Sequence, residues 1–183
     1  LINPFDSPLL TAFLFIMTGV AAGFDFKTHK IPNLLTFPAM LAGVVHFTST
    51  YGFNGLIFSS AGLATGIGLL ILPWLMGGMG AGDAKLMGAV GACLGVERTV
   101  VAFLIVAAMG CIYGLVVVVV HRSRFKGYLQ QLWLTAKMYL VTKKYVRVES
   151  PSENRPKVYY GIAIAAGTWL YVILVLNGFE MKI

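Results

Sequence analysis

Long apolar stretches separated by short polar breaks run along all 183 residues. Residues 9–24, 34–51, 56–76, 99–120 and 158–177 each approach the roughly 20 helical residues that cross a bilayer. A shorter apolar stretch, 84–96, either crosses or dips and returns. The first run has no basic residue before it and Lys27 after it, the reverse of a secretory signal peptide, so it reads as a retained span. The pattern predicts an all-α, polytopic membrane protein, organised as a single integral-membrane domain over residues 1–183.

Charge arbitrates the short stretch. Lys27, Lys30, Lys85 and the nine Lys and Arg residues between 122 and 157 belong on one side of the membrane by the positive-inside rule. Six crossings put all of them in the cytoplasm, leave Arg98 and Lys182 outside, and turn both termini outward. A re-entrant 84–96 would carry most of the basic residues to the wrong side. We therefore expect six transmembrane helices and a cytoplasmic basic segment, 121–157. Within it Leu129, Leu132, Trp133, Ala136 and Leu140 recur at helical spacing beside Lys137, Lys143 and Lys144. That pattern predicts an interfacial amphipathic helix whose lysines meet anionic lipid head groups.

Composition agrees. The chain is 58% hydrophobic and 11% charged, with a mean hydropathy of +0.81, too few charges for the surface of a soluble domain. The net charge of +7 thus reflects membrane orientation, and nucleic acid is not an expected partner. Four GxxxG spacings, Gly19–Gly23, Gly62–Gly66, Gly91–Gly95 and Gly110–Gly114, allow close helix approach. A methyl at Gly66 is expected to be partly absorbed by such a bundle.

Candidate chemistry follows from the seven acids. Asp6, Glu97 and Glu180 fall on the outer side, and Glu149 and Glu153 in the polar loop. Asp25, in GFDFKTHKIPN, and Asp83, in GGMGAGDAKLMGAVGACLG, share the inner face. Either could simply cap a helix or pair with a lysine. Both, however, lie beside sequence that breaks regular backbone: Pro32 after Asp25, and Gly77, Gly78, Gly80 and Gly82 before Asp83. Irregular backbone at membrane depth requires a protein-lined or wet cavity. Two carboxylates facing one another there share a proton, the requirement for aspartyl-type hydrolysis.

Other chemistries lack their residues. His29, His46 and His121 are scattered, without HExxH spacing, and Cys93 and Cys111 form no CxxC pair, so no metal or cofactor is expected. His29 and His121 read as interfacial and His46 as a packed or partly wet helix residue. No GxSxG occurs, and Ser59 and Ser60 read as packing or backbone-bonding residues. GMGAGD has Asp83 where a dinucleotide loop needs its third glycine.

Together these motifs resemble the type IV prepilin peptidases, membrane aspartyl proteases of the GxGD class, and are most similar to the short form of tight-adherence (Flp-type) pilus systems. Gly80-Ala81-Gly82-Asp83 matches GxGD, and Ala84-Lys85-Leu86 with Gly88 to Ala92 and Leu94-Gly95 matches the continuation GDxKLxGAxGAxLG. Asp25, six residues before Ile31-Pro32-Asn33, matches the second motif, and Tyr160 to Gly167 resembles the last helix of the short form. The resemblance implies cleavage of a basic leader from a prepilin at the cytoplasmic face. Asp25 and Asp83 would form the catalytic pair, with Gly80, Gly82, Lys85 and Pro32 shaping the substrate channel. A branched side chain at Gly82 is accordingly expected to harm cleavage more than a methyl at Gly66. Full-length bacterial members carry a CxxC-containing domain that accompanies N-methylation; these residues contain none, and N-methyltransferase activity is not expected. The competing readings are an archaeal preflagellin-type leader peptidase, a small proton or cation transporter subunit, and a non-catalytic pilus assembly factor.

Overall fold

The computed structural model describes residues 2–75, 79–120 and 159–179. These are helical: α1 (Pro8–Thr28), α2 (Asn33–Leu75), α3 (Ala81–Leu94), α4 (Val96–Val120) and α5 (Tyr160–Leu176), preceded by one 3-10 turn (Pro4–Asp6). Two compact units share the chain, Leu1–Gly110 with Tyr159–Ile183, and Cys111–Val158. Of the second, the described residues are 111–120, the last turns of α4. Among the described residues three helices are long and apolar enough to cross a membrane, Pro8–Thr28, Asn33–Leu75 and Val96–Val117, and α5 is a shorter apolar helix. The expected basic segment, 121–157, and its amphipathic helix lie outside the described residues.

Helix α1 starts where the Ser7 hydroxyl accepts from the Leu10 N–H at 3.4 Å and Pro8 takes the first helical position, where its missing N–H costs nothing. It does not stop before Asp25. It continues to Thr28 and ends at His29, whose backbone is left-handed (φ 54°) and whose N–H donates to the Asp25 carbonyl at 2.9 Å. Pro32 therefore follows the helix end without causing it.

Helix α2 counts 43 residues, which as a straight rod would reach about 65 Å, twice the hydrocarbon thickness. Gly52 resolves this with φ 61° and ψ −139°, a conformation only glycine adopts without strain. The arms on either side, 33–51 and 53–75, fold back on one another. The Phe47 and Phe58 rings lie 4.9 Å apart, and a Cβ on Gly88 would stand 2.7 Å from Ile67 and 3.2 Å from Met40. The separate stretches 34–51 and 56–76 are thus recovered as two antiparallel arms, except for residue 76, which is not described.

Helix α3 occupies the centre of this unit. It begins at Ala81, three residues before the expected stretch, and stops at Leu94 because Gly95 turns to φ 76°. Leu86, Met87, Val90 and Leu94 are wholly buried, so a helix of 14 residues serves here because protein, not lipid, surrounds it. Glycines set the depth of packing: Gly62 meets the backbone of Gly91, and Gly66 that of Met87. A Cβ at Gly66 would lie 2.8 Å from the Met87 carbonyl carbon and nearer still to its oxygen. Backbone cannot step aside as a side chain can, so a methyl at Gly66 is accommodated only where the second arm of α2 and α3 move apart. The Gly19–Gly23 spacing is only half a contact, since Gly19 meets Trp169 and Gly23 meets nothing. The Ser59 hydroxyl donates to the Ala92 carbonyl at 2.7 Å, one of the acceptors that the end of α3 leaves without a helical partner.

Helix α5 runs antiparallel to α1. Trp169 Nε1 donates to the Thr18 hydroxyl at 2.8 Å, and toward opposite ends Phe5 faces Tyr171 and His29 stacks on Tyr159. On its other side Gly167 packs against the Val106 backbone of α4. The helix directions collect residues 25–33, 79–83 and 159–161 at one end of the unit. Residues 2–7, the Gly52 bend and the α3–α4 junction gather at the other, where Arg98 donates to the Ile2 carbonyl at 3.1 Å and to Asn3 Oδ1 at 3.2 Å.

Candidate active site

Asp25 and Asp83 come together at the first of these ends. Each residue is only 7% exposed, and both line a cavity of about 220 Å³ with His29, Lys30, Ile31, Gly80, Ala81 and Gly82. The walls come from the last turn of α1, the link to α2 and the first turn of α3.

Backbone amides hold both carboxylates. Asp83 sits in the first turn of α3, where its Oδ2 accepts from the Gly80 N–H at 3.0 Å. The capping role that sequence allows for such an acid is therefore realised, and it orients the group. Asp25 Oδ2 accepts from the Gly161 N–H, in the first turn of α5, at 2.9 Å. Each acid thus meets a helix amino terminus, where free N–H groups and the macrodipole favour negative charge. One oxygen of each carboxylate is thereby tethered at the cavity wall.

The link between α1 and α2 docks against α3. Ile31 is buried, and a Cβ on Gly82 would stand 3.1 Å from the Ile31 Cβ. Lys85 Nζ donates to Asn33 Oδ1 at 2.8 Å and lies 5.0 Å from the centre of the Phe37 ring. Of the residues expected to shape a substrate channel, Gly80 and Gly82 line the cavity, whereas Pro32 and Lys85 do not. Lys85 is two residues beyond Asp83, about 200° around the helix, and so turns to α2; Pro32 yields its place on the wall to Ile31.

Three contributors escaped the sequence reading. His29 was expected to be merely interfacial, yet it lines the cavity and stacks on Tyr159 with ring centroids 4.7 Å apart. Its position one helical turn after Asp25 on the same face was the available signal. Lys30 also lines the cavity, although its charge spoke only of membrane orientation. Gly161 is 136 positions from Asp25, and no local pattern links them. Among the described residues no three His, Cys, Asp or Glu side chains gather as ligands for a metal ion.

Comparison with known proteins places this geometry in context. Residues 12–115, which include both acids, match the model of the type IV leader peptidase family. A curated relative, the prepilin leader peptidase/N-methyltransferase of Escherichia coli (strain K12), is 34% identical over 109 residues, 56% of this chain and 47% of that protein. The chain thus spans about half the length of the curated relative it matches. No solved structure matches the chain. With more than half of its residues matched by the family model and its apolar helices marking it as a membrane protein, the chain belongs to the type IV leader peptidase family.

Proposed function

We propose that the protein is a membrane-embedded aspartyl endopeptidase that removes the basic leader from type IV, Flp-like prepilins at the cytoplasmic face of the inner membrane. One observation carries this reading: two buried carboxylates, each oriented by a backbone amide, line the same small cavity. Family membership supports the substrate class.

In the reaction, a water held between Asp25 and Asp83 attacks the scissile carbonyl carbon. The ionised carboxylate takes the water proton while the protonated partner donates a hydrogen bond to the carbonyl oxygen. Collapse of the tetrahedral intermediate breaks the C–N bond, and a carboxyl proton passes to the leaving amine. The dyad titrates as a pair, so the shared proton belongs to both acids.

The helix directions support six crossings, with α1, the two arms of α2, α3, α4 and α5 passing in alternation and residues 25–33, 79–83 and 159–161 facing the cytoplasm with the basic segment. Both termini then lie outside, and anionic lipid surrounds the inner rim. A proton or cation relay is less well supported. The other described acids, Asp6 and Glu97, lie at the opposite end, and no carboxylate lies in the helices between.

The test is cleavage of a purified type IV pilin precursor by the protein in lipid nanodiscs. Asp25→Asn and Asp83→Asn each abolish cleavage while the protein accumulates normally, because an amide cannot complete the acid and base cycle. Processing at the parental rate by either variant removes that residue from catalysis.

A further inference from the structure

We infer that Gly161, at the start of α5, is a positioning residue for Asp25: its N–H aims the carboxylate, and its lack of a side chain makes room for it. The inference rests on the peptidase reading above and adds to it a third helix, contributed from beyond the two acid-bearing motifs.

Gly161 is buried and is the second residue of α5, so its N–H has no acceptor within the helix. That donor meets Asp25 Oδ2 at 2.9 Å. A Cβ at this position would lie 2.9 Å from both the Cβ and Oδ2 of Asp25 and 3.1 Å from its Cγ. Gly161 thus differs from Gly62 and Gly66, where the obstacle is backbone of a packed helix. At Gly161 the obstacle is one short side chain at the edge of a cavity. An added methyl clears Oδ2 and Cγ by turning the Asp25 carboxylate aside, while its contact with the Asp25 Cβ, which no rotation of the side chain moves, asks a small shift of the start of α5. The aromatic contacts of Tyr159 with His29 and Phe26, at 4.7 and 5.6 Å, hold the start of α5 against the end of α1. The amide therefore stays close to its place and does not follow the carboxylate as it turns.

Gly161→Ala should lower kcat for the pilin precursor roughly 100-fold, the scale expected when a reacting group is displaced by about 1 Å. KM should stay near the parental value and the thermal unfolding midpoint should fall by no more than a few degrees, since bulk substrate contacts and most of the packing persist. Gly110→Ala, whose added Cβ would meet Ala163 at an ordinary 3.9 Å, should change none of the three. A parental kcat in Gly161→Ala, or losses that follow the unfolding midpoint alone, would overturn the inference. A second measurement is independent of activity and of that variant. In the full chain labelled with 15N-glycine, the Gly161 amide proton should move upfield when Asp25→Ala removes its acceptor. An unmoved resonance overturns the positioning role even if both acids prove catalytic. A moved resonance in a chain that cleaves no prepilin upholds the contact and refutes the peptidase reading instead.

Discussion

Gly66→Ala is the most exacting test of how the bundle is packed. The added methyl would stand 2.8 Å from the Met87 carbonyl carbon and 3.0 Å from the Gly88 Cα, both part of the buried face of α3. Ordinary carbon contacts begin near 3.5 Å, so the second arm of α2 and α3 must separate by most of an ångström. Overpacking of this kind costs about 1–3 kcal/mol, while the gain in helix propensity from glycine to alanine returns about 1 kcal/mol at most. The net loss, at the upper end of that range, is about 2 kcal/mol, or a fall of roughly 4–8 °C in unfolding midpoint for a chain of this size. Met87 lies one helical turn beyond Asp83, so the same displacement reaches the cavity and should slow cleavage by up to about 100-fold. Gly82→Val meets a looser obstacle, Ile31 at 3.1 Å, and should slow cleavage with less loss of stability than Gly66→Ala. The assay is thermal unfolding in micelles followed by tryptophan fluorescence, with initial cleavage rates on equal amounts of folded protein. Gly68→Ala is the control, because nothing lies within 4 Å of its added Cβ. A Gly66→Ala midpoint equal to that of the control would refute the packing argument.

Ser59→Ala should destabilise by about 1–3 kcal/mol, because it leaves the buried Ala92 carbonyl without its donor; an unchanged midpoint in the same unfolding assay would count against the bond. Cysteines introduced at Gly178 and Lys30, in a chain with Cys111→Ala, test topology: an impermeant maleimide applied to intact cells should label the first and reach the second only after permeabilisation. Labelling of Lys30→Cys from outside would sink the six-crossing arrangement and its cytoplasmic cavity. Cleavage should be insensitive to EDTA, since the proposed chemistry needs only two carboxylates and water; loss of activity restored by zinc would contradict it.

Sequence alone determined the class of the protein and singled out the two acids that the fold brings to one cavity. Apolar runs of spanning length follow from the cost of exposing polar backbone to lipid, and that constraint is local enough to be read residue by residue. Asp25 and Asp83 stood out because so few carboxylates occur and because each sits in a recognisable motif. Helix ends were less legible: α1 passes through Asp25 to a left-handed His29, and α3 begins at Ala81, because end geometry depends on side chains and on what packs beyond them. Only the tertiary structure decided that a methyl at Gly66 would meet the Met87 backbone, that Lys85 turns to Asn33, and that Gly161 holds Asp25. The physical reason is common to all three. Spacing along a helix reports which residues share a face, but not which element lies opposite or how near its backbone comes. Those distances are set by contacts between residues remote in the chain, and no pattern within a single segment records them.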